Sequence, residues 1–233
     1  MQIRHLSTQF DRELNDVSKL VLQLGGLVEE QVINVLDAFA QLSRENALKT
    51  IEIEKHVNQL ELRIDFEAIA TIARRQPTAR DLRLLIAIAK ATTDLERIGD
   101  EAERIAELTL ELIQMGHSDF EILNEIKNYG QEAVRSLNHS LDAFARLDVE
   151  TAATLLQSGQ TDERKADRFI RKIEQRMKDG YDCISACIAI MQAAKAIERI
   201  RDHADNIAEF TIYIVKGADI RHLSADELTS VIG

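Results

Sequence analysis

The residues in this chain that could carry chemistry are carboxylates set in rows. Glu96, Asp100, Glu103 and Glu107 follow one another at i, i+4, i+7 and i+11. On an α-helix, at about 100° per residue, these four side chains fall within a wedge of roughly 60°. The same spacing returns at Glu198, Asp202, Asp205 and Glu209, and a related row runs through Glu54, Asn58, Glu61 and Asp65. Like charges four residues apart destabilise a helix by about 0.2–0.5 kcal/mol per pair. Such rows need compensation. One form is solvent with basic neighbours, and Arg97, Arg104 and Arg199 lie on adjacent faces. The other is a bound cation. Carboxylate and amide oxygens are hard donors suited to magnesium, manganese, calcium or iron, whereas zinc usually takes His or Cys.

The elements that must position these rows are helices. The 233 residues include one proline, Pro77, nine glycines and no tryptophan, and 45% are hydrophobic. This composition predicts an aliphatic core and an all-α chain. A first helix is expected from near Thr8 to Leu42, with Thr8 and Asp11 at its start. Ser43 caps a second that runs to Arg75. Gln76-Pro77-Thr78 breaks the chain, because the residue before proline avoids the helical region. Thr78 and Asp81 start a third helix that Gly116 ends. Ser118 and Glu121 form a capping box for the fourth, and Asp148 caps the fifth. The sixth lies between Gly180 and Gly217, and Ser224 and Glu227 open a short terminal helix. Inward stripes are expected at Leu95, Ile98, Ala102, Ile105 and Thr109, and at Ile197, Ile200, Ala204, Ile207 and Thr211.

The chain also repeats itself. LDAFAQL at 36–42 returns as LDAFARL at 141–147, and ERIGDEAERIAE at 96–107 returns as ERIRDHADNIAE at 198–209 with eight of twelve positions identical. The expected architecture is therefore two tandem, pseudo-symmetric, antiparallel three-helix bundles, residues 1–116 and 117–233. Identity between the halves concentrates around the carboxylates, which favours the cation reading over a solvated face.

Several function classes are disfavoured. A net charge of −11 opposes direct binding to nucleic acid. No apolar run reaches the roughly 18 residues of a membrane span, and the N-terminal MQIRHLSTQFDREL has no signal-type stretch. Cys183 and Cys187, four apart on a helix, read as small buried residues of a reducing compartment. His56 and His203 lie off the acidic rows and are expected to be exposed rather than ligating. Arg74 and Arg75 read as complements to a helix C-terminus, with Arg80 and Arg83 in the next helix.

LERIGD at 95–100, its echo IERIRD at 197–202, RRQPTARDLR at 74–83 and VKG at 215–217, together with the duplication, resemble the PhoU family from about residue 5 to 228. The resemblance implies two three-helix bundles with E/D-x-x-x-D/N motifs that bind iron or other divalent metals on paired helices. It implies a negative regulator of phosphate-starvation signalling, cytoplasmic and peripheral at the inner membrane face. Its partners would be the phosphate-specific ABC transporter and a sensor histidine kinase, and dimers are common. Carried onto this chain, the first metal site takes Glu54, Asn58, Glu96 and Asp100. The second takes Asp162, Glu198 and Asp202. Ser158 stands where an acid is expected, and Gly99 is answered by Arg201, so the second site is expected to bind metal more weakly or not at all.

The rival is a metal-dependent enzyme, a carboxylate-bridged hydrolase or oxidase in which two metals activate water or dioxygen. The acidic rows contain no His ligand. The chain has no nucleophile elbow and no Walker sequence, so it is not expected to be an enzyme. A helical scaffold without metal is the third reading.

Overall fold

A computed structural model describes residues 8–116, 119–158, 163–180, 183–221, 223 and 225–232. The helices among them are α1 (Thr8–Gln41), α2 (Arg44–Arg75), α3 (Ala79–Gln114), α4 (Phe120–Arg146), α5 (Val149–Ser158), α6 (Glu163–Asp179), α7 (Ile184–Lys216) and α8 (Ala225–Ile232). They form two three-helix bundles. α1, α2 and α3 make the first; in the second, α4 and α7 are completed by α5 and α6, which together take the place of α2.

The local signals explain most ends. Ser43 Oγ accepts the Asn46 N–H at 3.4 Å, and Gln76, left-handed at φ 46°, closes α2 before Pro77. Asp148 Oδ1 accepts the N–H groups of Glu150 and Thr151, both at 3.1 Å. Gly217, at φ 75°, ends α7 by donating its N–H to Tyr213 O. Three expectations change. Thr78 makes no side-chain cap bond to α3, although its carbonyl accepts the Asp81 N–H at 3.2 Å. α4 is capped by Asp119, whose Oδ1 accepts the Ile122 N–H, while Ser118 lies outside the described residues. The expected fifth helix is two helices, α5 and α6. Ser224 also lies outside the described residues.

Both expected inward stripes are buried in full. One aliphatic cluster runs through both halves, from Phe10 and Leu14 to Ile207 and Ile214. A smaller one fastens α5 and α8 through Ala152, Ala153, Ile212 and Leu228. Two antiparallel helix pairs join the halves. Between α3 and α7, Arg83 donates to Ile214 O at 3.3 Å, Asp94 meets His203 at 2.7 Å, Glu101 meets Arg199 at 2.9 Å and Arg104 meets Gln192 at 2.7 Å. The α3 numbers rise as the α7 numbers fall. His203 is therefore half-buried in an interface rather than exposed. Arg74 and Arg75 lie in the last turn of α2, and Arg75 does more than face its own helix end. Its guanidinium grips Glu13 of α1 at 3.0 and 2.6 Å.

Between α1 and α4 the crossing is symmetric. A Cβ on Gly25 would stand 2.6 Å from Leu141 Cδ2, and a Cβ on Gly130 would run into Leu36 in the same way. Gly25 and Gly130 are 105 residues apart, as are Leu36 and Leu141. The duplication is thus written into the packing: each half offers a leucine to the other half's glycine. Overpacking such a site costs about 1–3 kcal/mol. Gly130→Ala gains about 0.5–1 kcal/mol of helix propensity against that cost, so a net loss on the order of 1 kcal/mol is expected in urea unfolding. Leu36→Ala in the same chain should add less than its own separate cost, because it vacates the space the new methyl needs.

Candidate functional site

The buried positions of α2 are Ala47, Thr50, Glu54, Val57, Ile64, Ala68 and Thr71. Their three- and four-residue steps trace the seam by which α2 packs on α1 and α3, and Glu54 stands on that seam. Only 2% of it is exposed. The facing seam of α1 runs Val21, Leu24, Val28, Gln31, Val35 and Ala38, and Gln31 is its one polar member. The two meet. Gln31 Nε2 donates to Glu54 Oε2 at 2.9 Å and to Thr50 O at 3.3 Å. Gly99 of α3 closes the third side. A Cβ there would lie 2.5 Å from Glu54 Oε2 and 3.3 Å from Gln31 Oε1, so the carboxylate fits only because residue 99 has no side chain. Glu54 Oε1 and Gln31 Oε1, both buried, have no hydrogen-bond partner among the described residues.

This is a costly place for charge, and the carboxylate responds. Burial pushes Glu54 up to about 7, with Asp100, Glu103 and Glu96 adding repulsion and the Gln31 bond opposing. Burial also raises Glu61, Asp65, Glu96, Asp100 and Glu103 above their ordinary values. Arg97, 3.8 Å from Glu96, opposes the rise at Glu61, Glu96 and Asp100. The predicted ligands Glu54, Glu96 and Asp100 therefore lie within electrostatic reach of one another across α2 and α3. Asn58 is exposed on the flank of α2. Among the described residues no three His, Cys, Asp or Glu side chains converge on a point as they stand.

The second row differs. Glu198 is engaged by Lys195 at 2.8 Å. Burial raises Asp202, and Arg201 opposes it. Asp205, raised by burial to about 6, accepts from Ser136 Oγ at 3.2 Å. Glu209 is raised to about 7, first by burial, and its Oε2 has no hydrogen-bond partner among the described residues. Asp162 lies outside the described residues. His203 joins Asn206 on Asp94 Oδ1, at 2.7 and 2.9 Å, and His56 is exposed. Cys187 is buried, and burial pushes its thiol up to about 11, the setting of an unreactive core cysteine.

Gln31 was not singled out from sequence, although it carried a signal as a polar residue on an otherwise apolar seam. Gly99 stood out in sequence by its replacement with Arg201 in the second half, but its contact with Glu54 showed only when α2 was laid against α3.

The folded chain holds a proton on Glu54 more tightly than the unfolded chain does. That contribution is complete below the ordinary value near 4.5 and is lost as pH rises through about 7. In chelator, Glu54→Gln is expected to be more stable than the wild type at pH 8, by on the order of 1–2 kcal/mol. The difference should shrink at pH 5. Urea unfolding at the two pH values measures it.

Comparison with known proteins supplies the context. The family model described as "PhoU domain" matches residues 21–109 and again 126–211, one match in each half. A Burkholderia protein named "Phosphate-specific transport system accessory protein PhoU homolog" is 43% identical over 226 residues, covering 97% of this chain and 96% of its own. The Escherichia coli (strain K12) protein "Phosphate-specific transport system accessory protein PhoU" is 35% identical, covering 98% of this chain and 94% of its own. The crystal structure of PhoU from Pseudomonas aeruginosa superposes with a TM-score of 0.84 at 38% identity, covering 90% of this chain and 100% of that one. With a matching model over most of each half and full-length relatives above a third identical, the chain belongs to the PhoU family.

Proposed function

We propose that this protein is an accessory regulator of phosphate uptake, a helical adaptor that restrains phosphate-starvation signalling. Its partners are a phosphate-specific ABC transporter and the associated sensor histidine kinase, met at the cytoplasmic face of the membrane. Two findings support the reading. The relatives are named for a phosphate-specific transport system. Among the described residues no helix is long and apolar enough to cross a membrane, which suits a peripheral adaptor. The protein acts as a homodimer and makes or breaks no bond.

The seam between α2 and α3 holds a divalent or trivalent cation. The observation that carries this is Glu54: a buried carboxylate with one oxygen unpartnered, pressed against Gly99 and repelled by Glu96 and Asp100. The donor set is hard oxygen, which fits iron, manganese or magnesium better than zinc. Glu54, Glu96 and Asp100 supply carboxylates, and Asn58 supplies an amide oxygen from the exposed flank. The cation supplies positive charge that cancels their repulsion and ties α2 to α3, fixing the surface the partners meet.

The second row holds a cation more weakly through Asp162, Glu198 and Asp202. Lys195 already engages Glu198, and Arg201 already offsets Asp202. Ser158 occupies the position of Glu54, and Arg201 that of Gly99. Loss of the acid and loss of the gap go together: without a carboxylate to admit, the helix need not keep a glycine.

Titration with manganese or iron, followed by elemental analysis, distinguishes the rows. Glu96→Ala is expected to remove most of the bound metal and Glu198→Ala little of it; equal losses would contradict the asymmetry. In cells lacking the native gene, the wild-type chain is expected to silence a phosphate-starvation reporter in high phosphate. A Glu96→Ala/Asp100→Ala chain, at equal abundance, should leave the reporter on. Silencing by both chains would count against the metal seam.

A further inference from the structure

α2 has a side that nothing covers. Its inner seam packs on α1 and α3, yet Leu62, Phe66 and Ile69 point outward with 69%, 68% and 66% of their surfaces exposed. At i, i+4 and i+7 they fall within about 60° of arc and form one stripe. They present roughly 400 Å² of apolar surface, the size of the largest patch on a typical monomer, which is often functional. The stripe has a charged edge. Asp65 and Glu61 lie about 100° and 140° around the helix from Phe66. That is the side turned to α3, where Asp100 adds negative charge beside Glu61. Arg97 is the cation acting on that edge.

We propose that this face is the docking site for an amphipathic helix of another protein, one with an apolar stripe flanked on one side by lysine or arginine. Anchors spaced i, i+4 and i+7 on a helix are the geometry by which two amphipathic helices interlock. The basic flank would lie along Asp65 and Glu61 of α2 itself. Charge complementarity selects this occupant over two others. An antiparallel second copy would set one Asp65 edge against another, between chains of net charge −11. An anionic lipid surface would meet the same carboxylates.

The proposal deepens the adaptor reading and rests on it for the existence of a protein partner. The binding assay reads the face itself, however, and the reporter strain reads regulation, so either can fail alone. The probe is a fluorescein-labelled synthetic 18-residue helix with leucines at i, i+4 and i+7 and lysines on one flank, titrated with the full chain. Saturable binding is expected, weakened about tenfold by Phe66→Ala and about tenfold by Asp65→Lys. Ile188→Ala, at an exposed apolar residue of α7, should leave it unchanged. The Asp65→Lys chain should also lose most of the salt dependence. Four results would overturn the assignment: equal affinity for a peptide with glutamates in place of lysines; binding indifferent to Phe66→Ala; sedimentation showing a dimer that Phe66→Ala dissolves; or phosphatidylglycerol vesicles bound through Phe66.

Discussion

One carboxylate placed on a packing seam organises the first bundle. Glu54 occupies a position that helical spacing assigns to the core, and only 2% of it is exposed. Gln31 supplies one hydrogen bond, Gly99 supplies the space, and one oxygen is left without a partner. Three helices are thereby committed to one another through a polar contact where an aliphatic one would be more stable. Such a contact persists where something other than stability depends on it. The neighbouring rows sharpen the case, since Glu96, Asp100 and Glu103 all add negative charge to the same seam.

The two halves are copies that have kept their packing and diverged in their charge. Gly25 against Leu141 and Gly130 against Leu36 still obey the duplication. So do the stripes that bury Ile105 and Ile207 at equivalent places. Steric fit at a close helix crossing tolerates little drift. The acidic rows have drifted. Where the first half has an acid and a glycine, the second has Ser158 and Arg201, and a fixed guanidinium offsets Asp202 and Asp205. In the second row Lys195 and Arg201 offset part of the charge, and in the first Arg97 offsets Glu96 and Asp100. The polar pairs between α3 and α7, Asp94 with His203 and Glu101 with Arg199, hold the two rows in a fixed relation.

α2 is the helix that serves both the interior and the outside. Its inner seam carries Glu54, its outer face carries Phe66, and Glu61 and Asp65 form the edge between them. Charge gathered at that edge is felt on both sides. The counterpart in the second bundle is broken into α5 and α6, where Ile173 is buried and Ile170 is exposed.

Helix periodicity, the single proline and the caps at Ser43 and Asp148 were readable from sequence because each is a local effect, decided within a few residues. The repeat was readable because identity needs no geometry. The acidic rows were readable as rows, again because a helix places i and i+4 on one face. Thr78 stands at the N-cap of α3 without a side-chain cap bond, Asp119 rather than its sequence neighbour caps α4, and the break between α5 and α6 gave no proline to mark it. What sequence alone could not decide was which side of a row meets another helix. Asn58 shares a row with Glu54 and is exposed; Gln31 is far from it in sequence and touches it. Gly99 stood out in sequence against Arg201, but only packing showed that its missing side chain is the space for a carboxylate. The chain's own letters fixed the helices and their faces. Only the tertiary structure selected the residues that meet across those faces, because burial and contact between distant segments are properties of packing, and no local pattern encodes them.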